Sequence, residues 1–155
     1  MVNIKVACYK ANQLINSERR RRKISAVAWC STMYMLAKEH TDNMANAGFL
    51  FHSHRDALKG GENCWGGKGY FAKSSEQLAR AMVRGWMSSP KHRAWILDKR
   101  VKSAAVGISV SKHGTFAAWA FSDSISQTYK PKRPRKRTKS IFHRLNSFFK
   151  KLLGF

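Results

Sequence analysis

Apolar positions Ile24, Val27, Ala28, Met35, Leu36 and Met44 recur near helical spacing, which predicts a long helix over residues 23–47 that stops at Gly48. Thr41 and Asp42, both cap-type residues, allow a break within it, and residues 11–22 read as a separate short helix leading in. From residue 48 to 72 the periodicity disappears. Glycines at 60, 61, 66, 67 and 69 surround Glu62, Asn63, Cys64 and Trp65, with Phe49, Leu50, Phe51, Tyr70 and Phe71 nearby. Such glycine density with so many aromatics predicts a structured loop that lines or partly covers a concavity. Ser74 with Gln77 three residues on is a capping signal for a helix presenting Leu78, Met82, Val83 and Trp86. That helix ends before Ser88-Ser89-Pro90, and Pro90 opens a shorter one through His92, Trp95 and Ile96. Beyond Asp98, residues 104–110 and 115–121 flank Lys112-His113-Gly114 as an antiparallel hairpin. Both strands are continuously apolar, as expected of a sheet covered by helices on its two faces.

The last part of the chain has a different character. Lys130, Lys132, Arg133, Arg135, Lys136, Arg137 and Lys139 surround Pro131 and Pro134, a self-repelling extended run. Ile141, Phe142, Leu145, Phe148, Phe149, Leu152 and Leu153 then fall on one helical face, with Lys and Arg on the others. This divides the chain into an N-terminal extension (residues 1–13), one α/β domain (14–129) and a basic linker with an amphipathic C-terminal helix (130–155).

Charge sharpens the tail's reading. The 155 residues carry 30 Lys and Arg against 8 acidic side chains, a formal charge of +22. Residues 130–155 hold ten of those cations and no acid, and residues 19–23 form a five-residue basic run. Such a surface attracts anions: lipid, envelope polymer or nucleic acid. An interfacial anchor on an anionic membrane uses both the cations and the apolar stripe. Nucleic-acid binding would use only the cations, and a protein partner is the further alternative. Asn3, Lys5 and Lys10 interrupt the start of the chain, and nothing approaches a membrane span, so the expected location is cytoplasmic or peripheral on the inner membrane face. Cys8, Cys30 and Cys64 cannot pair completely within one chain.

The segments Ile15–Arg19, Ala37–Met44, Gly48–His52, Gly61–Asn63, Trp86–Leu97 and Ala105–Ile108 stand in an order that resembles the CAP superfamily, also called SCP/PR-1-like or the cysteine-rich secretory family. Ile15-Asn16-Ser17-Glu18-Arg19 resembles its "N-x-x-R" helix, and the segment from Ala37 through His40 to Met44 its "A-x-x-H-x-x-x-M". Gly48-Phe49-Leu50-Phe51-His52 resembles "G-F-F-x-H", and Gly61-Glu62-Asn63 is "G-E-N". The run from Trp86 to Leu97 resembles "W-M-x-S-P-x-H-R-x-N-I-L", and Ala105-Val106-Gly107-Ile108 with Phe121 resembles the terminal hairpin. The resemblance covers roughly residues 14–125 and implies an α-β-α sandwich with a central, mostly antiparallel sheet between helical layers. It also implies a shallow groove in which His52, Glu62 and His92 match the family's histidines and one acid. The second acid is missing, since Met87, Ser88 and Ser89 follow Trp86, and Trp95 replaces the family's Asn.

Two imidazoles and a carboxylate around a cleft can bind a divalent cation such as Zn2+ at His52 and His92 with Glu62, or activate water by general-base transfer. His54, Asn63, Trp65, Ser89 and Trp95 are expected to line the same groove. His52 is preferred to His54 as the groove histidine, and His40 is assigned a packing or capping role. A ligand- or metal-binding domain tethered to an anionic surface is the main reading. A metal-assisted or general-base hydrolase using the same His52, Glu62 and His92 is the alternative. Trp86 is expected in the core, Trp95 either walls the groove or fills core space, and truncating either is expected to damage folding.

Overall fold

The structure, a computed structural model, describes residues 2–53 and 60–124. His54, the 129/130 boundary, and the whole of the basic linker and amphipathic tail lie outside the described residues. Asn3 opens α1 (Ile4–Arg21), its side chain accepting from the Val6 N–H. This helix runs through the stretch read as an extension and the short helix expected after it. Its buried face is Ala7, Cys8, Ala11, Asn12, Ile15 and Arg19, which recur at helical spacing.

The helix expected from residue 23 begins eight residues later. Lys23 turns the chain with φ 57, and the backbone is extended through β1 (Ala28–Trp29) before α2 (Ser31–Ala47) starts. Tertiary bonding overrides the helical spacing of Ile24, Val27 and Ala28. The Asn16 amide donates to the Val27 carbonyl at 3.1 Å and accepts from its N–H at 2.9 Å, as a neighbouring strand would. Arg19 does the same work for the next loop. Its guanidinium, 1% exposed, donates to the carbonyls of Ser25, Ile96, Asp98 and Val101 at 2.8, 2.7, 2.9 and 3.2 Å. The α2 helix is unbroken across Thr41 and Asp42 and closes at Gly48 in the left-handed conformation, φ 78.

The glycine-rich segment contains a strand, β2 (Gly60–Lys68), where a loop was expected. Glycine there serves packing: a Cβ on Gly61 would sit 2.8 Å from the Phe121 ring. Ser74 caps α3 (Ser75–Ser88) by accepting from the Gln77 N–H at 3.1 Å, while the Gln77 side chain accepts from the Lys73 N–H. Helix α4 (Pro90–Ile96) follows with Pro in its first turn. The hairpin of β3 (Ser103–Ser111) and β4 (Gly114–Ser122) forms as expected, and every residue of β4 is buried.

The four strands lie in the order β1-β3-β4-β2, with β1 parallel to β3 and the other two pairs antiparallel. One core joins α1, α3 and α4 to the sheet through Leu78, Met82, Trp86, Ile96, Val106, Ile108 and Trp119. The other packs Met33, Leu36, Ala37 and Met44 of α2 against Ala105, Phe116 and Ala118. The result is the α-β-α sandwich. Alternation along β2 sends Glu62 and Cys64 toward the α2 side and Asn63 and Trp65 toward α3. Because β2 is an edge strand, its residues are open to loops arriving from outside the sheet.

Candidate functional site

Glu62 is the hub. Its side chain is 13% exposed, and it collects bonds from the loop after α2. The Ser53 N–H donates to Oε1, the Ser53 hydroxyl donates to Oε2 at 2.9 Å, and His52 Nδ1 lies 3.1 Å from Oε1. Burial pushes the Glu62 carboxyl up, but the Ser53 N–H, the nearby His40, the Ser53 hydroxyl and His52 outweigh it and hold the group below its ordinary value. Glu62 is therefore a carboxylate at neutral pH.

His40 reaches the same oxygen from α2. Its ring is 3% exposed, with Nε2 donating to the Phe51 carbonyl at 2.8 Å and lying 3.6 Å from Glu62 Oε1. Phe51 meets that ring edge-on with centroids 5.1 Å apart. Cys64, two residues along β2 from Glu62, places Sγ 3.7 Å from His52 Nδ1. Burial, reinforced by the Glu62 charge, pushes its thiol upward, so it carries its proton at neutral pH. The ligand atoms of His40, Glu62 and Cys64 all lie within 4.8 Å of one another.

The expected trio is only partly assembled. His52 and Glu62 are in contact, and His52 is 66% exposed at the mouth. His92, half-buried on α4, makes no hydrogen bond or ion pair to either among the described residues. Burial, then the positive charge of His52, lowers the His92 pKa from 6.5, so the two rings share an electrostatic neighbourhood. The His92 carbonyl accepts from the Asn63 amide at 2.9 Å, which ties α4 to β2. Among the described residues the compact donor set is His40, Glu62 and Cys64 rather than His52, Glu62 and His92.

The expected lining residues are distributed differently. Asn63 is fully buried as a structural tie. Trp65 turns to the α3 side, edge-on to Tyr70 at 5.4 Å and against Gly85. Ser89 joins α3 to α4 through its backbone, donating to Trp86 O and accepting from the Arg93 N–H. Trp95 is 44% exposed and stacks on Phe121 at 5.2 Å, so it is not a core residue. It lines a cavity of about 200 Å³ with Gly60, Asp98, Arg100, Val101, Phe121 and Asp123, none of them part of the Glu62 cluster. His40 and Cys64 were legible as residue types that bind metals, but nothing in their 24-residue separation placed them together.

Residues 13–123 match the cysteine-rich secretory protein family. The chain belongs to the CAP family. No curated protein gives a significant sequence match. Among solved structures, this CAP chain is similar to an extracellular SCP-domain protein of Bacillus anthracis, with TM-score 0.55 and 18% identity over 75% of this chain. It spans 40% of the length of that Bacillus protein. It is also similar to an outer surface protein of Borrelia burgdorferi, with TM-score 0.52, 15% identity, and coverage of 72% of this chain and 88% of that one. At these identities the likeness is one of fold. Among the described residues no helix is long and apolar enough to cross a membrane.

The CAP groove of this chain has donors of three kinds: imidazole, carboxylate and thiol. That mixture suits zinc better than magnesium or calcium, which take oxygen ligands. Loading would require Cys64 to lose its proton and His40 to exchange its hydrogen bond to Phe51 for a metal bond.

Proposed function

We propose that this CAP domain is a binding module whose groove takes up a divalent cation, zinc by its donor chemistry, on His40, Glu62 and Cys64. The observation that carries this reading is the gathering of those three ligand atoms within 4.8 Å beside an exposed imidazole. Bound there, the metal would act as a Lewis acid toward an anionic or carbonyl ligand. This chain's own part is to hold Glu62 ionised through Ser53, to keep His52 at the mouth, and to leave His92 neutral at physiological pH. Residues 130–155, basic and then apolar on one face, hold the domain to an anionic membrane surface.

Competition with a chromophoric zinc chelator on the full chain tests the metal reading. One equivalent is expected, and Cys64→Ser or His40→Asn should each weaken it by at least about tenfold, the scale on which even outer-sphere changes act. Uptake should release protons, measurable in weakly buffered solution. Unchanged affinity in both variants, with loss in a His52→Ala/His92→Ala double variant, would move the metal to the other pair and overturn the assignment.

A further inference from the structure

The hairpin end of the sheet carries a surface that the groove does not use. Thr115 of β4 pairs with Val110 on one side and Gly67 on the other, which sets the β3–β4 turn beside the end of β2. The chain leaving β2 is pinned there: the Gly69 N–H donates to the His113 carbonyl and the Thr115 hydroxyl to the Tyr70 carbonyl, both at 2.8 Å. The end of α2 meets the same corner, since a Cβ on Gly48 would lie 2.9 Å from the His113 ring and one on Gly66 3.2 Å from Leu50. From this firm backbone project Phe49, Leu50, Phe71 and Val110, which are 61%, 49%, 57% and 50% exposed. They are four of the nine exposed large hydrophobic residues among the described residues, crowded at one end. Around them stand the exposed Lys68, Lys73 and Lys112, and segments 48–53, 66–73 and 110–115 contain no Asp or Glu.

We propose that this end of the domain docks into an anionic lipid bilayer. Phe49, Leu50 and Phe71 enter the boundary between headgroups and acyl chains, while Lys68, Lys73 and Lys112 meet lipid phosphates. Exposed phenylalanines ringed by lysines, with the nearby Asp42 carboxylate already engaged by Lys38 and Ser109, complement an interface that is apolar below and anionic above. A nucleic acid would engage the lysines but has no use for the projecting apolar rings. A second copy of a chain with charge +22 would bring like charges together. The docking also sets an orientation. The Phe49 and Phe51 rings lie 5.3 Å apart and the Phe51 and His40 rings 5.1 Å apart, so the groove opens close beside the docked tip. This surface is independent of the metal assignment, and it complements the proposed tail tether without requiring it.

The test uses the full chain and vesicles of phosphatidylserine with phosphatidylcholine. In Phe49→Trp and Phe71→Trp, the fluorescence added over the wild-type chain should shift to the blue on binding. It should be quenched by lipids brominated along the acyl chain. Tyr9→Trp, beside the β1 strand at the far end, should give neither change. A Phe49→Ser/Phe71→Ser double variant should retain its melting curve and partition at least about tenfold more weakly, as expected on losing two buried aromatic side chains. Absence of quenching at both tip positions in vesicle-bound protein overturns the proposal, as does unchanged partition of the double serine variant. Stripping of the protein from vesicles by excess DNA, without tip quenching, assigns the basic surface to nucleic acid instead. Phe142→Ser/Phe149→Ser examines the tail by itself: unchanged adsorption there refutes the tether, while the tip is still read by quenching in chains with the native tail.

Discussion

Replacing Arg19 by methionine isolates the clamp that joins α1 to the loops on either side of it. Methionine fills most of the aliphatic volume but donates nothing, so the carbonyls of Ser25, Ile96, Asp98 and Val101 lose their partner together. The bonds to Ile96 and Val101 are buried and beyond the reach of water. Stripping a buried acceptor costs about 1–3 kcal/mol, so these two alone suggest roughly 4 kcal/mol. Against that, the wild-type protein bears the cost of burying a guanidinium, visible in the lowering of its pKa by desolvation. A net loss of about 3 kcal/mol follows, equivalent to roughly 10 °C in Tm for a domain of this size. Urea denaturation followed by far-ultraviolet circular dichroism would measure it. Arg19→Lys should recover only part of the loss, because one ammonium cannot reach four carbonyls spread across two loops. A midpoint change below about 0.5 kcal/mol in the methionine variant, the range of ordinary surface substitutions, would refute the reasoning that orphaned carbonyls dominate.

Gly107→Ala should destabilise by about 3 kcal/mol or more, because its Cβ would lie 2.5 Å from the backbone of Ala37 and Lys38 in α2. A wild-type urea midpoint would contradict that close approach. Trp86→Ala should cost about 3–5 kcal/mol, since the ring is fully buried and its indole N–H donates to the Cys64 carbonyl at 3.1 Å. Trp95→Ala should cost much less, about 1 kcal/mol, and equal losses in the two variants would contradict the exposure of Trp95. Acid should destabilise the protein partly through two groups whose folded pKa values are depressed, Glu62 and His92. In each case the unfolded chain binds the proton more readily, so stability is present above the unfolded pKa and lost as pH falls through the folded one. For His92 the loss begins below 6.5 and for Glu62 below 4.5. Unfolding free energies of His92→Gln and Glu62→Gln compared with wild type across pH 3–8 should lose those two slopes (about the span of both reference values).

Local chemistry made α3, α4 and the β3–β4 hairpin readable, because a serine cap, a proline at a helix start and a two-residue turn act within a few positions of themselves. The segment after α1 departs from its helical pattern for the opposite reason. Ile24, Val27 and Ala28 have helical spacing, yet Asn16 and Arg19 bond the backbone of residues 25 and 27 from another element and hold it extended. Strand β2 was hidden by its glycines, which look like loop residues until the Phe121 ring is seen to occupy the space a side chain would need.

The same division runs through the candidate site. The resemblance of the ordered motifs to the CAP family placed Glu62 and His52 in one groove, and their contact is the part of the trio the structure joins. The sequence by itself determined the elements whose signals are local, the basic tail's charge and the identity of that hub. Only the tertiary structure decided that His40, on the inner side of α2, and Cys64, on the α2-facing side of β2, converge on the same carboxylate. Helix packing against a sheet sets that meeting, and no spacing along the chain encodes which side chains two packed surfaces bring face to face.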